Sequence, residues 1–212
     1  DCTFTNCSSS YSSIVNGGAT DCTFTNCSSH SYIVAGSAMN CTFTNCISIG
    51  GSIVTGGATN CTFTNCRNSY SSAIVVGGAT SCTFVRCKAG RLRGTQSGND
   101  ITNCVIFSCD IDTIDFGAGT NNAASAYIDV NTLVLGTDNT LAKFASLGTV
   151  EIIGYSADLN DTPAADFGDF RPQAGSILIG AGVAVSGITD DIAGNLRPDP
   201  PTIGAYEYVE EA

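Results

Sequence analysis

The sequence predicts an all-β fold, a parallel β-helix (solenoid) with rungs of about twenty residues, and three observations predict it. The hexapeptide Cys-Thr-Phe-Thr-Asn-Cys is written four times, from Cys2, Cys22, Cys41 and Cys61. It returns in degenerate form as CTFVRC from Cys82 and CVIFSC from Cys104, with start-to-start steps of 20, 19, 20, 21 and 22 residues. Other columns keep the same register: Ile14-Val15 returns as Ile33-Val34, Ile53-Val54 and Ile74-Val75, each followed by a Gly-Gly-Ala-Thr or Gly-Ser-Ala-Met turn. Finally, the 24 glycines and the heavy use of Ser, Thr and Asn favour strands and turns, and a period this short leaves no room for a helical pair.

Residues 1–109 form the regular, Cys-rich rungs. Cys-Thr-Phe-Thr alternates with period two, so Cys2, Phe4 and their equivalents point inward. The outward residues are Thr3, Thr5, Thr23, Thr25, Thr42, Thr44, Thr62 and Thr64, with Thr83 and Val85 as a partial fifth row. Asn6, Asn26, Asn45 and Asn65 fall where the strand ends, a position suited to stacked amides in a turn. Residues 110–168 read as less regular continuing rungs. Ala126–Leu135 and Thr149–Tyr155 are strand-like there, and Leu141–Leu147 reads as a short helix. Residues 169–212, rich in Gly and Pro, read as a C-terminal capping segment over the end of the core. The first residues enter directly into a repeat, which leaves two expectations for that end: sequence upstream of Asp1, or a rung satisfied by another subunit.

Composition restricts function. Eight Lys and Arg against 19 Asp and Glu give a formal net charge of −11, a poor match to nucleic acid or an anionic membrane surface. No apolar run is long enough to cross a membrane as a helix.

The repeat Asn-Cys-Thr-Phe-Thr-Asn, with its Ser-rich spacer and Gly-Gly-Ala turn, resembles the right-handed parallel β-helix repeats of bacterial secreted and surface proteins, including the polymorphic outer-membrane type. Four C-terminal stretches, Asp169–Gln173, Ser176–Gly182, Asp191–Arg197 and Ile203–Tyr208, resemble the closing segment of the "choice-of-anchor" β-helix proteins. Those proteins usually read Ser-Pro-Ala-Ile-Asp-Ala-Gly in the second block, where this chain has Ile177 and Gly180 in place of the proline and the aspartate. The resemblance implies a right-handed coil displayed outside the cell, an architecture that hosts lyases, adhesins and structural proteins alike.

All twelve cysteines lie in six Cys-x4-Cys pairs: Cys2 and Cys7, Cys22 and Cys27, Cys41 and Cys46, Cys61 and Cys66, Cys82 and Cys87, Cys104 and Cys109. Their even number in a Ser/Thr-rich chain suggests an oxidising, extracellular setting. Three states are open: bridges between rungs stacked at about 4.8 Å, bridges within a repeat, or buried free thiols. One histidine and ladder-like spacing do not resemble a zinc cluster.

The expected role is structural or adhesive, a secreted or surface solenoid whose partner is itself, by end-to-end stacking into a filament. The alternative is a carbohydrate-binding or polysaccharide-degrading β-helix. Its acidic candidates are Asp110, Asp112 and Asp115 near Arg91 or Arg93, with calcium as a weak cofactor expectation, a second acidic spot at Asp190-Asp191, and surface polysaccharide as partner. No catalytic residue is assigned and no other cofactor is expected. A third reading is ice binding through the Thr-x-Thr face. Asn40 and Asn60 head Asn-Cys-Thr sequons, and Asn6 and Asn26 head Asn-Cys-Ser. His30 and the spacer tyrosines Tyr11, Tyr32 and Tyr70 read as surface residues.

Overall fold

The computed structural model describes residues 1–68, 72–93, 101–107, 109–115, 126–128, 144–146 and 169–210. Within them the chain is an all-β parallel solenoid of about five turns, with no helix among the described residues. Each regular turn lays down three short strands, and like strands stack into three parallel sheets. The first sheet contains Cys2–Thr5, Cys22–Thr25, Thr42–Thr44, Thr62–Thr64, Thr83–Val85, Val105–Phe107 and Ala126–Ile128. A second runs from Ser8–Ser9 through Ser28–Ser29, Ile47–Ser48, Arg67–Asn68 and Lys88–Arg93 to Asp110–Asp115. The third contains Ala19–Thr20, Ala38–Met39, Ala58–Thr59, Ala79–Thr80 and Ile101–Thr102. Single bridges link Val15, Val34, Val54 and Val75 in a fourth column.

The register follows from the repeat. Cys2 stands over Cys22 and Phe4 over Phe24, and the Phe column continues through Phe43, Phe63 and Phe84. Successive rings lie 4.7–4.8 Å apart and within 5° of parallel, so ring spacing equals strand spacing. Phe24, Phe43, Phe63 and Phe84 are fully buried beside Ile33, Ile53 and Ile74 and the inward cysteines. Small residues let the coil close. A Cβ on Gly36, Gly56 or Gly77 would come within 2.4–2.6 Å of the backbone of the preceding rung.

Corners between strands use the left-handed region. Asn6, Asn26, Asn45, Asn65 and Arg86 form one column with φ of 51–54°, and Asp21, Asn40, Asn60, Ser81 and Asn103 form another with φ of 49–53°. Asn and Asp tolerate this conformation better than other non-glycine residues, which is why they recur there.

Beyond the regular rungs, Asp110–Asp115 and Ala126–Ile128 still pair in parallel with the turn before. The short helix expected over Leu141–Leu147 is corrected in its described part: Phe144–Ser146 is a strand, antiparallel to Asp169–Pro172. Pairing with the DFRP segment supplies the backbone partners that a helix would have had to find internally. Thr149–Tyr155 and Tyr70 lie outside the described residues. The described contacts of residues 176–208 run along the side of the coil. Gly204 N–H donates to the Asn103 carbonyl at 2.8 Å and Ala205 N–H to Thr83 Oγ1 at 3.0 Å.

Candidate functional site

Alternation on the first sheet turns one set of cysteines inward, and the corner that follows turns the other set inward too. The two columns are Cys2, Cys22, Cys41, Cys61, Cys82 and Cys104, and Cys7, Cys27, Cys46, Cys66, Cys87 and Cys109. All twelve are free thiols; Cys2 is exposed, Cys7 half-buried and the other ten buried. Their sulfurs donate weakly to backbone carbonyls. In the first column Cys22, Cys41, Cys61 and Cys82 reach Thr20, Met39, Thr59 and Thr80 at 3.1–3.2 Å. In the second, Cys27, Cys46, Cys66 and Cys87 reach the Phe carbonyl of the preceding rung at 3.2–3.5 Å. A thiol is small, apolar and a weak donor, so it fills a narrow coil without orphaning a strong polar group. Burial pushes the Cys61, Cys66 and Cys104 thiols well above their ordinary range, and the neighbouring sulfurs push in the same direction.

The first asparagine column is a continuous amide ladder. Asn26 Nδ2 donates to Asn6 Oδ1 at 3.1 Å, Asn45 to Asn26 at 2.8 Å and Asn65 to Asn45 at 3.2 Å. The sequence reading missed the second ladder, in which Asn40 donates to Asp21 Oδ1 at 3.0 Å and Asn60 to Asn40 Oδ1 at 3.3 Å. Its signal was present as the residue before each first cysteine: Asp1, Asp21, Asn40, Asn60, Ser81 and Asn103. Asn60 also donates to the Asp190 carbonyl at 2.7 Å and is buried, so its amide is committed and closed to a glycan.

The predicted Thr residues all stand on the first sheet, in different surroundings. Thr3 and Thr5 are exposed, Thr23, Thr25, Thr42 and Thr44 half-buried, and Thr62 and Thr64 buried. Thr83, Val85 and Val105 are buried as well. The outward columns turn apolar at Val85 and Val105, and the tail lies against Thr83 and Val105 through Gly204 and Ala205. Gly204, at φ +112°, could not carry a Cβ there, because one would fall 2.9 Å from Thr83 Oγ1 and 3.1 Å from Val105 Cγ2.

A buried polar knot holds this tail down, and the motif residues of the C-terminal segment make it. Arg197 and Glu207 form an ion pair at 2.6 Å with both side chains almost fully buried. The guanidinium also donates to the carbonyls of Asp190, Thr202, Gly204 and Ala205 and to Asn60 Oδ1 at 2.9–3.3 Å. Glu207 accepts the Thr202 N–H at 3.0 Å. Asp191 accepts from Ala193, Asn195 and Glu207 N–H groups at 2.7–2.9 Å and from Asn195 Nδ2 at 3.0 Å. Every ionised group thus has several partners, the condition under which buried charge is tolerated. Asn103 completes the clamp, donating to the Val183 carbonyl at 2.6 Å and accepting Val183 N–H at 2.9 Å.

Of the acidic candidates, Asp110 stands in register opposite Lys88 and Asp115 opposite Arg93; Asp112 lies on the same strand, and Arg91 pairs with Thr113. Asp191 belongs to the knot, and Asp190 is exposed and accepts the Thr189 hydroxyl at 3.1 Å. His30 and Tyr11 are exposed and Tyr32 is half-buried. Among the described residues, no three His, Cys, Asp or Glu side chains are grouped so that they could hold a metal ion, and no helix is long and apolar enough to cross a membrane. No protein-family model and no curated protein matches the chain, so its assignment rests on architecture: a parallel β-solenoid built on buried cysteine and asparagine ladders.

Proposed function

We propose that the protein is an extracellular structural or adhesive rod, a right-handed β-solenoid of the bacterial secreted and surface type, and that it assembles by stacking rung on rung. The observation that carries this reading is the continuity of the columns. Phe, Cys, Asn and Val each stack on their own kind, so the unit that completes one rung is another rung. What a stacked rung contributes is visible in burial. Phe4, Cys7, Ile14 and Val15 are only partly buried, while their equivalents one turn on are fully buried. A second copy stacked rung on rung makes a heterologous contact that repeats without closing, which is the geometry of a filament. Burying side chains of this kind at each junction supplies a few kcal/mol of apolar transfer free energy per large residue, about 2–3 kcal/mol for a phenylalanine.

Negative-stain electron microscopy of the native, unreduced protein tests the proposal. The expected result is filaments whose axial repeat matches the stack of one chain, about 4.8 Å per rung. Isolated short rods at every concentration would reject end-to-end assembly. The ice-binding reading is disfavoured because the face is not open along its length: Thr62, Thr64 and Thr83 are buried, and Thr83 Oγ1 accepts the Ala205 N–H of the tail. An ice-recrystallisation assay is expected to show no inhibition.

A further inference from the structure

Where the tail meets the antiparallel pair, a shallow open groove of about 680 Å³ runs between the Arg171–Ala174 turn, the Ala193–Asn195 loop and the Tyr206–Glu210 segment. From this groove we infer a binding site for a neutral saccharide chain, a side-face function separate from end-to-end stacking.

Three features of the groove point to that ligand. Tyr206 and Tyr208 both line it and flank Glu207, whose carboxylate is turned into the ion pair with Arg197. Two half-buried phenols, two residues apart, offer apolar ring faces with polar edges, suited to the C–H face of a sugar ring. Planar polar groups surround them. Gln173 is exposed at the rim, and Asn195 is oriented by its Nδ2 bond to Asp191, leaving its Oδ1 to accept a hydroxyl. Such a mixture of ring faces and convergent polar groups is the usual composition of a ligand cleft.

Charge selects among saccharides. Arg171 is paired bidentately with Asp169, Glu207 is paired with Arg197, and Asp191 is saturated by N–H donors. No unneutralised cation is left among the lining residues to receive a uronate or sulfate. The lining residues carry one cation, Arg171, against the two carboxylates Glu207 and Glu210, a net negative groove; burial foremost, then the Asp169 and Asp191 charges, raises the Tyr206 phenol against an opposing Arg171 charge. An anionic polymer is therefore repelled and a neutral one admitted.

Along the same tail a second cleft, of about 420 Å³, shares Ala193 and Tyr206 with the first and opens toward Asp21, Thr23, Asn40 and Thr42. The two clefts on either side of Tyr206 fit an extended chain of several sugar residues better than a single ring.

The test is isothermal titration of the whole chain with cellohexaose, xylohexaose, N-acetylated chitohexaose and trigalacturonate. Tyrosine emission gives a second readout, since the chain has seven Tyr and no Trp. At least one neutral hexasaccharide is expected to bind, and trigalacturonate is expected not to. Tyr208→Ala should weaken binding by about tenfold, the worth of one aromatic contact. Gln173→Ala, at an exposed position that leaves the fold intact, should weaken it by several-fold. Failure of all three neutral probes to bind at millimolar concentration would overturn the inference, as would equal binding of trigalacturonate. Unchanged affinity in Gln173→Ala together with a folded Tyr208→Ala would overturn it too. None of these outcomes depends on filament formation.

Discussion

The same six residues, Cys-Thr-Phe-Thr-Asn-Cys, occupy 2–7 and 61–66, and their environments are opposite. In the first copy Cys2, Thr3, Thr5 and Asn6 are exposed and Phe4 and Cys7 half-buried; in the second all six are buried. Local sequence cannot produce that difference, since it is identical. Their surroundings produce it: a rung on each side closes over Phe63 and the cysteines, and the tail reaches the second copy's rung through the bonds of Asp190 and Arg197 to Asn60. The hexapeptide thus encodes a shape that is complementary to itself, and burial comes from what is stacked on it.

Chemical accessibility should expose this contrast most strongly. With a thiol-alkylating reagent, Cys2 and Cys7 are expected to react in the native state. The ten buried thiols should wait for unfolding and react at least about a thousandfold more slowly, as counted by mass spectrometry. Fast labelling of Cys61 or Cys66 would contradict the closed column.

Stability separates the two copies next. Phe63→Ala removes a ring stacked on both faces, between Phe43 and Phe84, and is expected to cost about 3–5 kcal/mol in urea denaturation. Phe4→Ala removes a half-buried ring with one stacking partner, Phe24, and should cost less than about half of that. Equal costs would mean that rung 1 is covered in solution, as stacking of a second copy requires.

Arg197→Ala leaves the buried Glu207 without its cation and should cost about 3 kcal/mol or more, concentrated in the tail. Hydrogen exchange is the discriminating readout: Ala205 and Thr202 amides should lose protection while those of the Phe column keep theirs. Uniform loss would show that the tail and the coil unfold together.

The asparagine ladder gives a smaller and more divisible effect. Asn65→Ala loses both the ladder bond to Asn45 and a residue that accepts φ near 51°, for about 2–3 kcal/mol in sum. Asn65→Gly restores the backbone freedom and should recover about 1 kcal/mol of that. The same pair of substitutions at exposed Asn6 should differ less.

The thiol columns also predict a pH dependence: hydrogen bonding between neighbours lowers Cys46, Cys82 and Cys87 while their partners rise, and burial, the first cause at all six, opposes every thiolate and sets the sign. Cys61, Cys66 and Cys104 have their pKa values raised by folding from an ordinary 9.0. Above that value the unfolded chain releases thiol protons that the folded chain retains, so the unfolded state binds fewer protons and stability falls as pH rises. Their contribution is complete below pH 9 and is lost progressively above it; denaturation midpoints at pH 8 and pH 10 measure the loss.

Much of the coil was legible because every column is written in one kind of residue. In-register stacking makes the sequence period and the spatial period the same, so Phe4 over Phe24 could be read directly. The second ladder was less legible because Asp, Asn and Ser share it, and only backbone conformation unites them. The tail was legible in neither position nor mechanism. Asp191, Arg197 and Glu207 look like surface charges in a chain of low charge density, and most of their partners are backbone groups, which a sequence does not distinguish. One clue was available: Val85 and Val105 break the outward polar columns, and the tail comes to rest at Thr83 and Val105. The state of the cysteines rests on side-chain direction as well as spacing, and spacing alone left three answers open.

The clamp of the tail has a consequence for how such a chain can change over generations. Its strongest anchoring points, Asn60, Thr83 and Asn103, sit on the later rungs and hold fixed distances from one another. Upstream of them, the unit that begins at Cys22 meets near-copies of itself above and below. Duplication or excision of one unit there leaves every column continuous and the clamp undisturbed. Length is therefore free to vary by whole modules through recombination between near-identical coding repeats, and a lineage can lengthen or shorten the coil without having to invent a new interface.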